Sequence, residues 1–465
     1  MHEETSTSRP AAVVIGGGMT GMLAAAVLAE FADVTIVERD TLPEGPAPRK
    51  GLPQARHGHL LWSGGVKALH QLLPGIVDEL AERGARRVPV MKNLVSKAPS
   101  GQWFRRFAQA RHTNIVCSRD LLDATIRTEV VRDPRIRVRE RTELEGLTGS
   151  ADCISGVRIY SGAQRETLSA DLVVDASGRG SRTPNWLKQL GIAPVPERTV
   201  DAGVGYASRM YRAPRGTTDT FPIVNVQADP RQPPGQGGII LPIEDHQWLV
   251  TLSGTRGGEP GGSNDEFVAF ARALSHPIIG ELLSGAEPLT DVVTTRSTAN
   301  KRRYYESMPQ WPAGFVVLGD AVAGYNPVYG HGLTVAAQCV VALRTILRQH
   351  DVVSPQTSRR IQQAVAGPVG NAWDLAVGQD IFYPGASDEP ATRTEKLLSA
   401  FVDRAVDAGS RNPRAMNALL DVMSMEQPPS RLLKPDMLCS LLLGRKLPPL
   451  EGPPLTAAEL KSVSC

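Results

Sequence analysis

AAVVIGGGMTGMLAAAVLAEFADVTIVERD, running from Ala11 to Asp40, is the stretch whose reading decides the fold. Ala12-Val13-Val14-Ile15 is a run of small or branched apolar residues, the pattern of a parallel strand buried on both faces. Gly16-x-Gly18-x-x-Gly21 follows, then an Ala- and Leu-rich run from Met22 to Glu30 that reads as a helix. A second short strand, Val34 to Val37, ends on Glu38. Gly16 permits a tight turn, Gly18 lets the backbone approach a pyrophosphate, and Gly21 lets helix and strand pack closely. Met19 and Thr20 lie between them, where the helix N-terminus offers free N–H groups to a diphosphate. Glu38, with Arg39 beside it, sits at the distance where an acid accepts hydrogen bonds from a ribose and disfavours a 2′-phosphate. A signal peptide or membrane span is a poor fit, because glycines break the run and a strand follows it.

The chain has 465 residues, enough for two or three domains or layers around sizeable cores. Lys plus Arg number 51 against 48 for Asp plus Glu, a balance that gives no reason to expect nucleic acid or an acidic membrane as partner. Cys117, Cys153, Cys339, Cys439 and Cys465 are odd in number and scattered, without a C-x-x-C pair. That suits a reducing cytoplasm and argues against a zinc site or disulfide framework. No other apolar stretch is long enough to span a bilayer, so no integral membrane segment is expected.

Beyond Glu38 the chain divides by texture. Residues 1–9 are polar and expected to be a disordered tail. Residues 10–188 and 308–350 read as the nucleotide-binding domain. Leu42 to Pro53 is a Pro/Gly/Arg loop, and Gln54-Ala55-Arg56-His57-Gly58-His59 leads into an apolar helix from Leu60 to Leu73. His57 and His59 lack a third ligand, so they are expected as loop residues near a cofactor, with no metal. A basic, poorly patterned region follows. Ser118 or Asp120 is positioned to cap a helix through Leu121, Leu122, Ile126 and Val130. Residues 136–175 alternate in short runs that suggest an antiparallel hairpin before a buried strand, Asp171 to Asp175. Strand-like segments then recur between Gly/Pro turns across residues 189–307, with Phe267 to Leu274 as a covering helix. This region is expected to be an inserted antiparallel sheet, and residues 351–465 a helical C-terminal region.

A second glycine-rich turn, Gly314-Phe315-Val316-Val317-Leu318-Gly319-Asp320-Ala321 through Asn326-Pro327-Val328-Tyr329-Gly330-His331-Gly332-Leu333, has the same grammar. A strand ends on Gly319-Asp320, Pro327 and two glycines make a tight loop, and Leu333 to Leu347 reads as a helix. Amides at that helix end would stabilise negative charge.

These features resemble the class A FAD-dependent monooxygenases, an α/β (α+β overall) class with the p-hydroxybenzoate hydroxylase-like fold. The chain is more closely similar to the epoxidases of polyether-ionophore biosynthesis, the lasalocid and monensin type, relatives of squalene epoxidase. The strings that carry this likeness are Lys50 through Gly65, Leu241-Pro242-Ile243-Glu244-Asp245, Thr251 through Pro260, and Asn326 through Gly332. The resemblance implies FAD, with Asp320 on the ribityl hydroxyls and His331, Gly332 and Leu333 at the pyrimidine edge of the flavin. It further places Arg56 and Arg119 against the cofactor, and Asp175 and Gly178 near the pyrophosphate groove. The implied reaction is epoxidation of alkenes in a lipophilic, polyketide-like polyene through a flavin C4a-hydroperoxide, with no acid or base required. Oxygen is the co-substrate and NAD(P)H the electron source, directly or through a flavin reductase; a carrier protein is a further candidate partner. Val224, Ile240 and Trp248 on the inserted sheet are expected as pocket wall, with Tyr383 approaching the flavin.

Two departures matter. Aromatic hydroxylases of this type carry a His soon after Gly-Asp-Ala, where Val322-Ala323-Gly324 stands here. Squalene epoxidases carry a hydrophobic C-terminal anchor, whereas Met437 to Leu443 is short and bracketed by Lys434 and Arg445, as expected of a core-packed helix. Rival readings are a hydroxylase or epoxidase of an indole, quinolone or terpenoid, a flavin-linked reductase of isoprenoid double bonds, and a flavin-bound sensor. The tryptophans form no Trp-x-Trp-x-Ile-Pro string, as a flavin halogenase would show.

Overall fold

The computed structural model describes residues 9–296, 298–442 and 447–463. Its first layer is a parallel five-stranded sheet in the order 315–317, 172–175, 11–15, 33–37, 136–139. Ala12, Val13, Val14 and Leu172 through Val174 are almost wholly buried, as strands covered on both faces must be. The helix Met19–Leu28 packs against the sheet because Gly21 has no side chain: a Cβ there would lie 1.9 Å from the Gly16 carbonyl oxygen. The helices Arg119–Val130 and Gly332–Leu347 flank it.

Ile136–Arg139 is the outer strand of this parallel sheet rather than half of a hairpin. The alternating residues that follow form a three-stranded antiparallel meander, Glu143–Gly149, Ile154–Ser161 and Gln164–Ser169. Period-two patterning reports one buried face and cannot say which neighbour a strand pairs with.

The inserted sheet has seven strands. Its path runs 287–288, 205–212, 247–254, 236–243, 223–226, 94–97, with 293–295 also paired to 205–212. Leu94–Lys97 comes from the region without readable pattern and pairs in parallel with Ile223–Val226. Four residues supply too little alternation to mark a strand. A small sheet of 197–200, 300–303 and 323–324 joins this insertion to the second glycine-rich turn.

Register assigns the two faces of the inserted sheet. Tyr211 opposes Trp248, Arg209 opposes Val250, Ile240 opposes Val250, and Val224 opposes Ile240. Val224, Ile240 and Trp248 therefore share a face, where they pack with Phe267, Ala271 and Ile279 beneath the helix Asn264–Ala273. They form buried core under that helix rather than the expected pocket wall. That helix is set by a capping box in which Ser263 and Glu266 satisfy each other's backbone amides.

After the helix Pro355–Asp380, three further helices, Arg393–Arg411, Pro413–Met423 and Pro435–Leu442, share a small core containing Ala405, Ala415, Val422 and Met437. Within the expected core-packed segment, Met437 and Leu441 pack in this core; Leu443 and Arg445 lie outside the described residues, as do residues 1–8 of the expected tail and Cys465. Leu450, Leu455 and Val463 return to pack on the inserted domain, and Arg106 grips Glu459 with two hydrogen bonds of 2.7 and 2.9 Å. Cys117, Cys153, Cys339 and Cys439 are free thiols. Among the described residues no helix is long and apolar enough to cross a membrane.

Trp248→Ala is expected to cost about 3–5 kcal/mol of stability while FAD still binds at saturation. A variant with wild-type Tm and altered flavin binding would contradict this packing.

Candidate functional site

The two glycine-rich turns meet at the C-terminal edge of the parallel sheet. Gly16 has φ 98°, and a Cβ there would lie 2.8 Å from the Ala176 carbonyl oxygen. Gly18 caps the following helix without a side-chain cap, and the space where its Cβ would stand is open. Bare helix-end amides above an open cradle suit a diphosphate.

Glu38 is 6% exposed and anchors the nucleotide end. Its Oε2 accepts the Gly17 N–H at 2.7 Å and its Oε1 accepts the Asp40 N–H at 3.0 Å. Arg49 pairs with Oε2 at 2.9 Å and donates to the Gly17 carbonyl at 2.8 Å. Oε1 keeps lone-pair capacity for a ribose hydroxyl. Arg49 comes from the Pro/Gly loop to which the sequence assigned no role, and a loop arginine carries no local signal of its partner. Arg39 instead points outward, with its side chain 65% exposed.

Asp175 ends its strand beside Ile15, next to the first glycine-rich turn. Its carboxylate is fully buried and accepts from the Ser177 N–H and Oγ, Ser181 Oγ and Thr183 Oγ1 at 2.5–2.9 Å. It shapes the groove by clamping the Ser177–Thr183 turn, in which Gly178 takes φ 79°.

At the other end, Gly319 has φ 61° and abuts Thr20, whose Oγ1 would stand 2.6 Å from an added Cβ. This contact is where the two turns touch. The Asp320 side chain is 35% exposed, with Oδ2 3.7 Å from Arg179 Nε. Its Oδ1 lies 3.9 Å from where a Gly332 Cβ would stand, at the start of the helix Gly332–Leu347. Burial raises the Asp320 pKa, and the charges of Arg179 and Arg119 oppose that rise. Arg119, close enough for its charge to act on Asp320, is held by Asp123 at 2.7 Å on a helix capped by Ser118. Arg56 is exposed, and its charge acts on Asp120. Arg179, to which the sequence assigned no role, also donates to the carbonyls of Ala299 and Tyr325.

The loop between these points is held by one carboxyl group. Asp380, 2% exposed at the end of its helix, accepts from Tyr329 Oη at 2.6 Å, Asn300 Nδ2 at 2.7 Å and Asn326 Nδ2 at 2.9 Å. Asn326 Oδ1 accepts in turn from Tyr206 Oη at 2.6 Å. Pro327 starts a short 3-10 turn that Gly330 ends at φ 66°. His331, 1% exposed, bonds Met423 O through Nε2 at 3.0 Å. Leu333 follows in the helix and packs partly buried against the main core. Tyr383 braces the inserted sheet: its hydroxyl would stand 2.5 Å from a Cβ on Gly235.

The sheet face opposite Trp248 looks toward this loop. It carries Tyr206, Ser208 and Thr251 at one end, and Met210, Ile223, Ile239, Leu241 and Leu249 with Leu60 at the other. His57 lies against the polar end. The cluster His112, Asp421 and Glu426 has metal-ligand spacing, but Arg431 pairs with Asp421 and Lys67 with Glu426.

The residues present fit FAD. An open cradle, a buried acid with spare lone pairs and a second acid facing the groove 280 residues later match its diphosphate, ribose and ribityl chain. Bound there, FAD would supply the redox chemistry, with Glu38 and Asp320 the acids that would hold its two ends.

Asp380→Ala strands three buried donors and is expected to cost on the order of 3 kcal/mol, with faster FAD release. Wild-type Tm and release rate would contradict the role of this knot. Burial pushes His57 and His331 down to about 4 from 6.5. The unfolded chain thus takes up protons below about pH 6.5 that the folded protein refuses until about pH 4. Stability should be level near neutrality and fall as pH drops through that window. His331→Gln should flatten the fall in thermal melts.

The chain matches the family described as FAD binding domain over residues 9–351. It is 31% identical over 416 residues to Protein Rv3254 of Mycobacterium tuberculosis, covering 86% of each chain. It is 26% identical over 347 residues to the FAD-dependent urate hydroxylase of Mycolicibacterium vanbaalenii, covering 73% of this chain and 80% of that one. The solved structure of pqsL, a probable FAD-dependent monooxygenase from Pseudomonas aeruginosa, aligns with a TM-score of 0.61 at 17% identity. That alignment covers 82% of this chain and 97% of that one. With the family match spanning most of the chain, this protein belongs to the FAD binding domain family.

Proposed function

We propose that this protein epoxidises one or more alkenes of a lipophilic, polyene-like intermediate, using O2 and electrons from NAD(P)H, directly or through a flavin reductase. The observation that carries the reading is the sheet face opposite Trp248, where half-buried Met210 and Ile239 stand beside Leu60 over a core of Leu241, Leu249, Val88 and Val116. An apolar wall suits a hydrocarbon chain. The charge chemistry points the same way. A phenol must lose a proton to become a strong nucleophile, and His57, which meets this sheet face at Ser208, is held neutral and weakly basic by burial. An alkene needs no deprotonation. The position where related aromatic hydroxylases carry a His is occupied by the buried run Val322-Ala323-Gly324.

FAD, once reduced, supplies oxygen activation in this reading. The protein's residues hold the flavin loop rigid through Asp380, exclude water with the apolar wall, and orient the alkene. The aligned helix-end amides at Gly332 favour negative charge on the pyrimidine edge.

Anaerobic reduction followed by mixing with 18O2 and a polyene tests this. The expected results are an absorbance transient distinct from oxidised and reduced flavin, and one labelled oxygen per epoxide. Double-bond reduction without label would instead identify a reductase, and labelled phenol from heteroaryl substrates a hydroxylase. Asp320→Ala should weaken FAD binding roughly 10–100-fold and Glu38→Ala about tenfold or more, from the loss of charge-assisted hydrogen bonds. Fluorescence titration of the apoprotein reads both, and unchanged affinity in either would remove that acid from the site.

A further inference from the structure

His57 sits in an arrangement that the flavin chemistry does not use. It is 4% exposed, in the loop before Leu60, against the polar end of the inserted sheet. Its Nδ1 is 2.8 Å from Ser208 Oγ, which is 2.6 Å from Thr251 Oγ1; that oxygen accepts the Gly58 N–H at 2.8 Å. Ser208 and Thr251 are directly opposed in the sheet register, so the backbone itself sets the pair. A Cβ on Gly58 would lie 3.0 Å from Leu241 and 3.1 Å from Thr251, a tight approach at which the neighbours would have to give. The loop is thereby pinned to the sheet.

Counting protons along the chain selects the tautomer. The Gly58 amide can only donate, so Thr251 Oγ1 accepts from it and still has a hydroxyl proton to place. If Thr251 donates to Ser208 and Ser208 donates to Nδ1, every hydroxyl proton has an acceptor. If instead Nδ1–H donates to Ser208 and Ser208 to Thr251, the Thr251 proton is buried with no acceptor; each arrangement thus buries one unpaired donor, but this one also strands Nε2 as an unpaired acceptor, so the first is favoured. The first arrangement leaves the ring proton on Nε2. Nε2 is buried without a hydrogen-bond partner. Because Nδ1 faces the sheet, Nε2 faces away from it. The ring lies 5.9 Å from that of Tyr206, whose hydroxyl holds the flavin loop through Asn326.

We propose that the Nε2–H of His57, oriented by Ser208 and Thr251, is the hydrogen-bond donor that grips an acceptor oxygen of the substrate. The ligand it fits is an amphiphile: a hydrocarbon body on the wall formed by Leu60, Ile239 and Leu241, and one carbonyl or ester oxygen at Nε2. A buried donor with no internal partner penalises the complex of a ligand that leaves it unpaired, so a single such group can discriminate among otherwise equally greasy chains. The inference rests on the reading of a lipophilic substrate and adds that the chain must bear an oxygen at a defined distance from the reacting alkene.

The test uses the FAD-loaded enzyme and two probes of one skeleton, methyl farnesoate and the hydrocarbon farnesene, with binding read from flavin fluorescence rather than turnover. Wild type should bind the ester about tenfold more tightly than the hydrocarbon, near the upper end for one hydrogen bond. His57→Phe should abolish that preference, and His57→Gln, whose amide N–H can stand where Nε2 does, should restore most of it. Independently of any probe, 15N-histidine spectra of the wild type should show His57 protonated on Nε2 and not on Nδ1. Equal affinity for the two probes, including no measurable binding of the ester, a preference that survives in His57→Phe, or an Nδ1–H signal would each overturn the proposal. Label from 18O2 in the product reports on the epoxidase reading separately, so the two can fail independently.

Discussion

The structure depends on one buried acid satisfied by neutral partners. A carboxyl group taken out of water is costly unless its oxygens are hydrogen-bonded. Asp380 meets that requirement with a tyrosine and two asparagine amides in place of a cation. The donors come from two settings: Asn300 from the strand bridging the domains, and Asn326 and Tyr329 from the flavin loop. Burial raises the Asp380 pKa and those three donors oppose it, so the group holds its place only while all of them stay aligned. Through Asn326 the constraint reaches Tyr206 and hence the inserted sheet. Loop, bridge, helix and sheet are thereby fixed relative to one another around the place where the flavin ring would lie.

The inserted sheet is what turns a coenzyme scaffold into a reaction vessel. Its two faces are both largely buried, but for different reasons. One packs Trp248, Val224 and Ile240 under a helix. The other divides into a polar end, where hydroxyls order His57, and an apolar end beside Leu60. Oxygen transfer to an alkene asks little of acids and bases and much of positioning and dryness. For the proposed alkene substrate, the apolar end and the oriented donor of this face would supply both.

The coenzyme groove shows a comparable division of labour. Glu38 and Asp320 are free to meet sugar-like hydroxyls because neighbouring residues absorb the structural tasks. Asp175 spends its whole hydrogen-bonding capacity on the turn beside Gly178, and Arg49 neutralises Glu38 from across the loop. Gly16, Gly21 and Gly319 allow backbone approaches that any side chain would block.

Much of this was legible in the residues from 11 to 40 and 314 to 333. Consecutive apolar residues, glycines at fixed offsets and a following acid are local features, and each has a local mechanical cause; the strand, turn and helix at both ends follow from them. The alternating segments of 189–307 likewise announced an antiparallel sheet. Face, pairing and partner were beyond reach. Alternation says that Val224 and Asn225 point opposite ways, not which of them meets the core helix. Leu94–Lys97 is a strand only because Ile223–Val226 lies ready to pair with it. Arg49, Arg179 and Asp380 look like ordinary loop and helix residues until the chain brings Glu38, Asp320 and Asn326 to them, because ion pairs and buried hydrogen-bond knots are defined by distance in space. Composition and spacing determined that this chain grips a dinucleotide; only the tertiary structure decided which side chains hold the grip and which face of the sheet the flavin would see.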